Sequence, residues 1–150
     1  MINVLYIDDE RHNLIAFKAS FRRLFNVYVC ESAEEGRQII ERETIHVILS
    51  DQRMPRMTGI EFFESIIEEF PDPIRILITG YTDISAVVDA INRGQVYKYL
   101  TKPWHEEEIR IFIEKAYEVY MLRKENRDLT GRLIDANHKL EFLARQALLS

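Results

Sequence analysis

Five short apolar runs rich in β-branched residues, at 4–7, 27–29, 47–49, 74–78 and 96–100, alternate with amphipathic stretches at 13–24, 33–43, 59–70 and 84–92. That alternation leaves few options. Each run reads as a strand and each stretch as a helix, and right-handed helical crossovers between them generate a parallel sheet. Runs that are apolar nearly throughout, such as Ile74-Arg75-Ile76-Leu77-Ile78, suit strands covered on both faces. The expected fold class is therefore α/β, with a central sheet between helical layers. Gly94 follows the last amphipathic stretch, where a helix C-cap glycine belongs.

From His105 onward no glycine or proline interrupts the helical pattern until Gly131, and no strand-like run follows. A helical signal of roughly forty residues outruns what one small domain covers and points to a coiled coil. Val119, Leu122, Asn126, Leu129, Leu133, Ala136, Leu140, Leu143 and Ala147 alternate by three and four, which places them on one heptad seam. Asn126 alone breaks the apolar character of that seam. An asparagine at an a position fixes register and a two-stranded state, so the expected assembly is a parallel homodimer. Glu118 facing Arg123 of a second copy is the one attractive flanking pair. Gly131 falls at an exposed f position and costs about 1 kcal/mol against alanine. An amphipathic helix folding back on its own domain is the alternative.

Composition narrows the function classes. With 47% hydrophobic and 30% charged residues in 150, the chain is neither disordered nor collagenous. A net charge of -5 argues against a nucleic-acid binder, and the segment from His105 to Ser150 carries eight basic against nine acidic residues, so its tail has no basic stripe. Cys30 is the single cysteine and excludes an internal disulfide or a Cys-based metal site. The N-terminus turns acidic at Asp8-Asp9, too early for a signal-peptide core, and no apolar run reaches membrane-spanning length. The expected location is cytoplasmic, with no membrane contact.

In an open parallel sheet, ligands bind at the carboxyl ends of the strands. There the chain places Asp8-Asp9-Glu10 after the first run, Ser50-Asp51 after the third, Thr79-Gly80 after the fourth and Thr101-Lys102-Pro103 after the fifth. Clustered carboxylates repel by roughly 4 kcal/mol per pair at 4 Å with an effective dielectric near 20, so a positive group must sit among them. An oxygen-only donor set without His or Cys suits a hard cation such as magnesium, which keeps waters and shares a phosphate. Lys102 adds a point charge for a phosphoryl oxygen and Thr79 a hydroxyl donor. Asp51, the solitary carboxylate, is the best-placed nucleophile, leaving the Asp8-Asp9 pair for the metal. His12, His46, His105 and His138 are scattered and suggest neither a metal set nor a catalytic pair. Trp104, Phe112, Tyr117 and Tyr120 read as packing for the long helix.

This combination resembles the receiver domain of bacterial two-component response regulators over residues 1–118, with residues 119–150 as a coiled-coil helix continuous with the last receiver helix. The resemblance implies a flavodoxin-like, doubly wound five-stranded sheet of order 2-1-3-4-5. It implies Asp51 as phosphoacceptor, charged by a sensor histidine kinase or phosphotransfer protein in a Mg2+-dependent reaction. Asp9, Asp51 and the backbone carbonyl of Arg53 would ligate the metal, with Asp8 acting through water. Thr79 and Lys102 would hold the phosphoryl group, Lys102–Pro103 would be cis, and Thr79 and Tyr99 would move together as the switch. Gly80 would leave room for the phosphodonor, and bulk at Arg53 and Tyr81 would slow hydrolysis. Such a domain is a signalling relay, not an enzyme. Two other readings compete: a phosphorylation-independent docking module, and a phosphohydrolase of the haloacid-dehalogenase type. The latter wants an Asp-x-Asp pattern and a cap domain, which Asp8-Asp9-Glu10-Arg11 and this short chain do not supply.

Overall fold

The computed structural model describes residues 1–80 and 84–149. In chain order the elements are β1 (Asn3–Ile7), α1 (Arg11–Phe21), β2 (Asn26–Cys30), α2 (Ala33–Arg42), β3 (Val47–Asp51), α3 (Gly59–Ile66), β4 (Ile74–Thr79), α4 (Ile84–Asn92), β5 (Lys98–Thr101) and α5 (Glu106–Leu149). All the strand pairs are parallel and the sheet order is β2-β1-β3-β4-β5. The expected doubly wound topology is present.

Strand periodicity sorts the core into two layers. Val4 and Tyr6 of β1, Val47 and Leu49 of β3 and Ile76 of β4 pack with Leu14, Phe17 and Phe21 of α1 and Ile109, Ile113 and Ala116 of α5. Leu5, Ile7, Ile48 and Leu77 point the other way, onto Ile39 and Ile40 of α2, Phe62, Phe63 and Ile66 of α3 and Val87 and Ala90 of α4. Register then aligns the strand ends: Asp51 lies beside Ile78, and Thr79 beside Thr101. The polar residues that follow the apolar runs are thereby gathered along one edge of the sheet.

Local signals set the helix ends. Ser32 caps α2 by accepting from the Glu35 amide, and Thr58 and Glu61 form a reciprocal capping box at α3. Gly94 closes α4 with a φ of 75°, the left-handed conformation that glycine takes without cost.

Some boundaries move. β5 starts at Lys98, not at 96, because its first ladder partner is Ile76 opposite Lys98. Val96 is nonetheless buried, a core residue in the approach to the strand. α1 spans Arg11–Phe21 instead of 13–24, and α3 stops at Ile66 short of 70. After α1 the chain turns, with the amides of Leu24 and Phe25 donating to the Phe21 carbonyl. Arg75, inside an otherwise apolar run, is 5% exposed. Its Nε donates to the Gln95 carbonyl at 2.8 Å and its Nη1 to that of Pro73 at 3.0 Å. A guanidinium with charge-assisted bonds to carbonyls can be buried where a bare charge cannot.

The chain divides into two compact units, Met1–Tyr120 and Met121–Ser150. Val119, expected at the head of the helical seam, is half-buried against the core of the first unit. In the second unit Leu122, Leu129, Leu133, Leu140 and Leu143 are each more than half exposed, and Gly131 continues the helix without a break. Among the described residues no helix is long and apolar enough to cross a membrane.

Candidate functional site

At the carboxyl end of the sheet, one carboxylate oxygen from each of Asp8, Asp9 and Asp51 lies within 4.8 Å of the others. Asp8 is fully buried, Asp51 nearly so, and Asp9 is exposed. Lys102, arriving from the loop after β5, puts its Nζ 3.0 Å from Asp51 Oδ1. The peptide bond that follows, Lys102–Pro103, is cis. Three carboxylates thus face one ammonium.

Burial pushes the Asp51 carboxyl above its ordinary value, and the charges of Asp8 and Asp9 add to that push against the hydrogen bond and charge of Lys102. For Lys102, burial alone would lower the pKa, but the bond to Asp51 and the charges of Asp51, Asp8 and Glu10 raise it. Both shifts are upward: several carboxylates outweigh burial at Lys102, whereas burial outweighs the one cation beside Asp51. The ammonium of Lys102 is thereby favoured, and the charged form of Asp51 is disfavoured by burial and by the field of Asp8 and Asp9.

That field is what a hard cation would relieve. The donors are oxygens only, and a compact site from which one or two carboxylates can reach an ion fits magnesium's preference. Thr79 ends β4 at 1% exposure and its hydroxyl donates to the Gly80 carbonyl at 3.2 Å. Among the described residues, a Cβ built on Gly80 would meet nothing within 4 Å. Arg53 is exposed in the loop after β3. Tyr99 is part-buried and lines a surface hollow with Ile91, Leu100 and Glu108. Tyr81 lies outside the described residues.

Several residues that hold this site have no signal in the sequence reading. Tyr6 shares a strand face with Asp8 and its hydroxyl donates to Asp8 Oδ2 at 2.6 Å, while Asn13 Nδ2 reaches the same oxygen at 3.0 Å. The Glu10 amide donates to Asp8 Oδ1 at 2.9 Å. Gln52 is buried directly after Asp51: its carbonyl accepts from the Gly59 amide and its Oε1 from that of Ile60, both at 3.0 Å. The one available signal is the strand period of two, which puts Tyr6 beside Asp8. Trp104, expected as packing for the long helix, lies against Phe17 and Phe21 of α1, with ring centroids 6.1 Å from each.

Comparison with known proteins agrees with this geometry. Residues 4–114 match the response regulator receiver domain family. The hydrogenase transcriptional regulatory protein HoxA of Cupriavidus necator is 33% identical over 147 residues, which is 98% of this chain and 30% of that protein. A response regulator receiver domain protein from Clostridium thermocellum superposes with a TM-score of 0.77 at 27% identity, covering 81% of this chain and 98% of that one. The beryllofluoride-activated NtrC4 receiver domain dimer gives 0.73 at 30% identity, covering 80% and 99%. The chain spans a third or less of the length of the curated relatives it matches. With the sheet order, the acidic edge and the paired lysine in agreement with the match over 4–114, the chain belongs to the response regulator receiver domain family.

Proposed function

We propose that this chain accepts a phosphoryl group on Asp51 from the phosphohistidine of a sensor histidine kinase or phosphotransfer protein, and relays that state through a dimeric C-terminal helix. The observation that carries the reading is the ion pair between Lys102 and Asp51 in a field of two further carboxylates. An Asp51 oxygen attacks phosphorus, the bond from phosphorus to the histidine nitrogen breaks, and the histidine leaves with that electron pair. Lys102 and Thr79 hold phosphoryl oxygens by charge and hydroxyl donation. Asp9, Asp51 and the Arg53 carbonyl would hold Mg2+, with Asp8 acting through water; the ion's contribution is to neutralise charge developing on the phosphoryl oxygens. Tyr99 and Thr79 would move together as the switch and remodel the surface formed by α4, β5 and α5.

Incubation of the chain with Mg2+ and a small-molecule phosphodonor, followed by intact-mass measurement, is expected to show one added phosphoryl group, and none when the metal is chelated beforehand. No adduct on folded, metal-bearing protein would overturn the reading in favour of a phosphorylation-independent docking module.

The relay rests on the exposed seam. Leu122, Leu129, Leu133, Leu140 and Leu143 give the second unit a stripe that burial against a second copy would satisfy, with Asn126 setting register. The receiver would then end near residue 118 and the coiled coil run from there. Leu133→Asp with Leu140→Asp is expected to convert a dimer into a monomer by light scattering, since each buried carboxylate on the seam costs several kcal/mol. An unchanged mass in solution would remove the seam from the assembly.

A further inference from the structure

The carboxylate of the acidic cluster with the most hydrogen bonds among the described residues is Asp8, not the proposed reacting one. Asp8 is fully buried and takes three donors: the Tyr6 hydroxyl and Asn13 amide on Oδ2, and the Glu10 amide on Oδ1. A carboxylate has about four acceptor positions, two on each oxygen. Oδ2 is therefore full and Oδ1 keeps one. The shortest of the three bonds comes from Tyr6, itself fully buried in β1, with its ring centroid 4.4 Å from that of Phe17. We propose that Tyr6 is a positioning residue for the cation site, which through its hydroxyl holds Asp8 in one orientation and reduces it to a single free acceptor position toward the metal and its waters.

The hydroxyl oxygen accepts from the Trp104 indole, which can only donate, and its one proton goes to Asp8. Apolar packing in that layer needs only the ring, which Phe supplies equally, yet a buried hydroxyl is tolerated only when bonded. Tyr6 and Asp8 are two residues apart at the end of one strand, so the pleat fixes the approach without a long loop to adjust it. Partners that orient a ligand from behind commonly set metal affinity by 10–100-fold when removed. Without the phenol, Asp8 has an open position on its buried oxygen and is free to rotate.

This inference rests on the proposed cation site, and its test separates the two. Mg2+ affinity is read from the rise of the thermal midpoint with metal concentration, a readout independent of phosphoryl transfer. Tyr6→Phe is expected to fold and to raise the Mg2+ dissociation constant about tenfold. Asn13→Ala, which removes the other donor to Oδ2 from a part-buried position, keeps the test open should Tyr6→Phe not fold, and is expected to weaken Mg2+ in the same direction. In an Asp8→Asn background, Tyr6→Phe is expected to have no further effect on affinity. A parent chain that binds no Mg2+ overturns the cation site and this inference together. A parent that binds while Tyr6→Phe binds equally or more tightly overturns the role of Tyr6 alone, as does an undiminished effect in the Asp8→Asn background.

Discussion

Asp51→Asn is expected to take up no phosphoryl group under conditions where the parent chain gains one, a loss well beyond about a hundredfold in initial rate because the attacking atom itself is removed. Asparagine keeps the volume and a carbonyl acceptor for Lys102, so the fold remains. The neighbouring carboxylates are poor substitutes. Asp8 Oδ2 takes donors from Tyr6 and Asn13 and its Oδ1 one from Glu10, and Asp9 stands exposed, while the ammonium of Lys102 is paired with Asp51. Intact mass of both proteins, with Asp8→Asn as a third arm, decides the matter. Uptake that survives at Asp51→Asn and disappears at Asp8→Asn would assign the chemistry to the end of β1, the arrangement of a haloacid-dehalogenase-type phosphohydrolase.

The same substitution has a second consequence with a definite sign. Asp51 has its folded pKa raised, by burial first and by Asp8 and Asp9 besides. A carboxyl whose folded pKa lies above its unfolded one favours folding while protonated, and that advantage is lost as pH rises through the folded pKa. At neutral pH, without metal, ionised Asp51 is therefore a stability cost. Asp51→Asn is expected to unfold a few degrees above the parent at neutral pH, with the gap closing as acid protonates Asp51 in the parent. Saturating Mg2+ is expected to narrow the gap from the other side by stabilising the parent. Thermal melts across pH, with and without the ion, measure all three.

The strands and the acidic edge were legible because both follow from rules with a single outcome. A β-branched run between two amphipathic stretches has one place in a doubly wound sheet, and the residue after it has one edge to occupy. Asp8, Asp51, Thr79 and Lys102 therefore came out of the sequence with their locations. Boundaries were less legible where burial outlasts the regular element. Val96 is as buried as a strand residue, yet β5 begins two residues later, and Phe25 is buried four residues beyond the end of α1. What the sequence hid altogether was support through hydrogen bonds. Tyr6 reads as one more strand aromatic, Gln52 as a loop polar residue and Arg75 as an interruption; only the packed structure reveals the acceptor or donor each one meets.

Glycine gives the sharpest contrast between local and tertiary rules, because the same substitution in two helices is expected to have opposite signs. Gly59 opens α3 directly beneath the end of β3. A Cβ there would lie 2.6 Å from the Asp51 carbonyl oxygen and 2.7 Å from Leu77 Cδ1. The leucine tip can turn aside, but the carbonyl belongs to the backbone of Asp51, the proposed phosphoacceptor, and cannot move without it. Overpacking of this kind costs about 1–3 kcal/mol and here falls at the upper end, against a helix-propensity gain under about 1 kcal/mol. Gly59→Ala is therefore expected to lose about 2 kcal/mol, roughly 6 °C in thermal midpoint for a chain of this size. Its phosphoryl uptake should slow as well, since the Asp51 backbone must shift. Gly131 is exposed in α5, and a Cβ added there would meet nothing within 4 Å. Gly131→Ala therefore collects the propensity term alone, about 1 kcal/mol of helix stability, and is expected to retain more helical ellipticity on heating while phosphoryl uptake stays at the parent rate. A Gly59→Ala protein that melts at or above the parent would mean that α3 can draw back from β3, and the close packing under Asp51 would then not constrain the site.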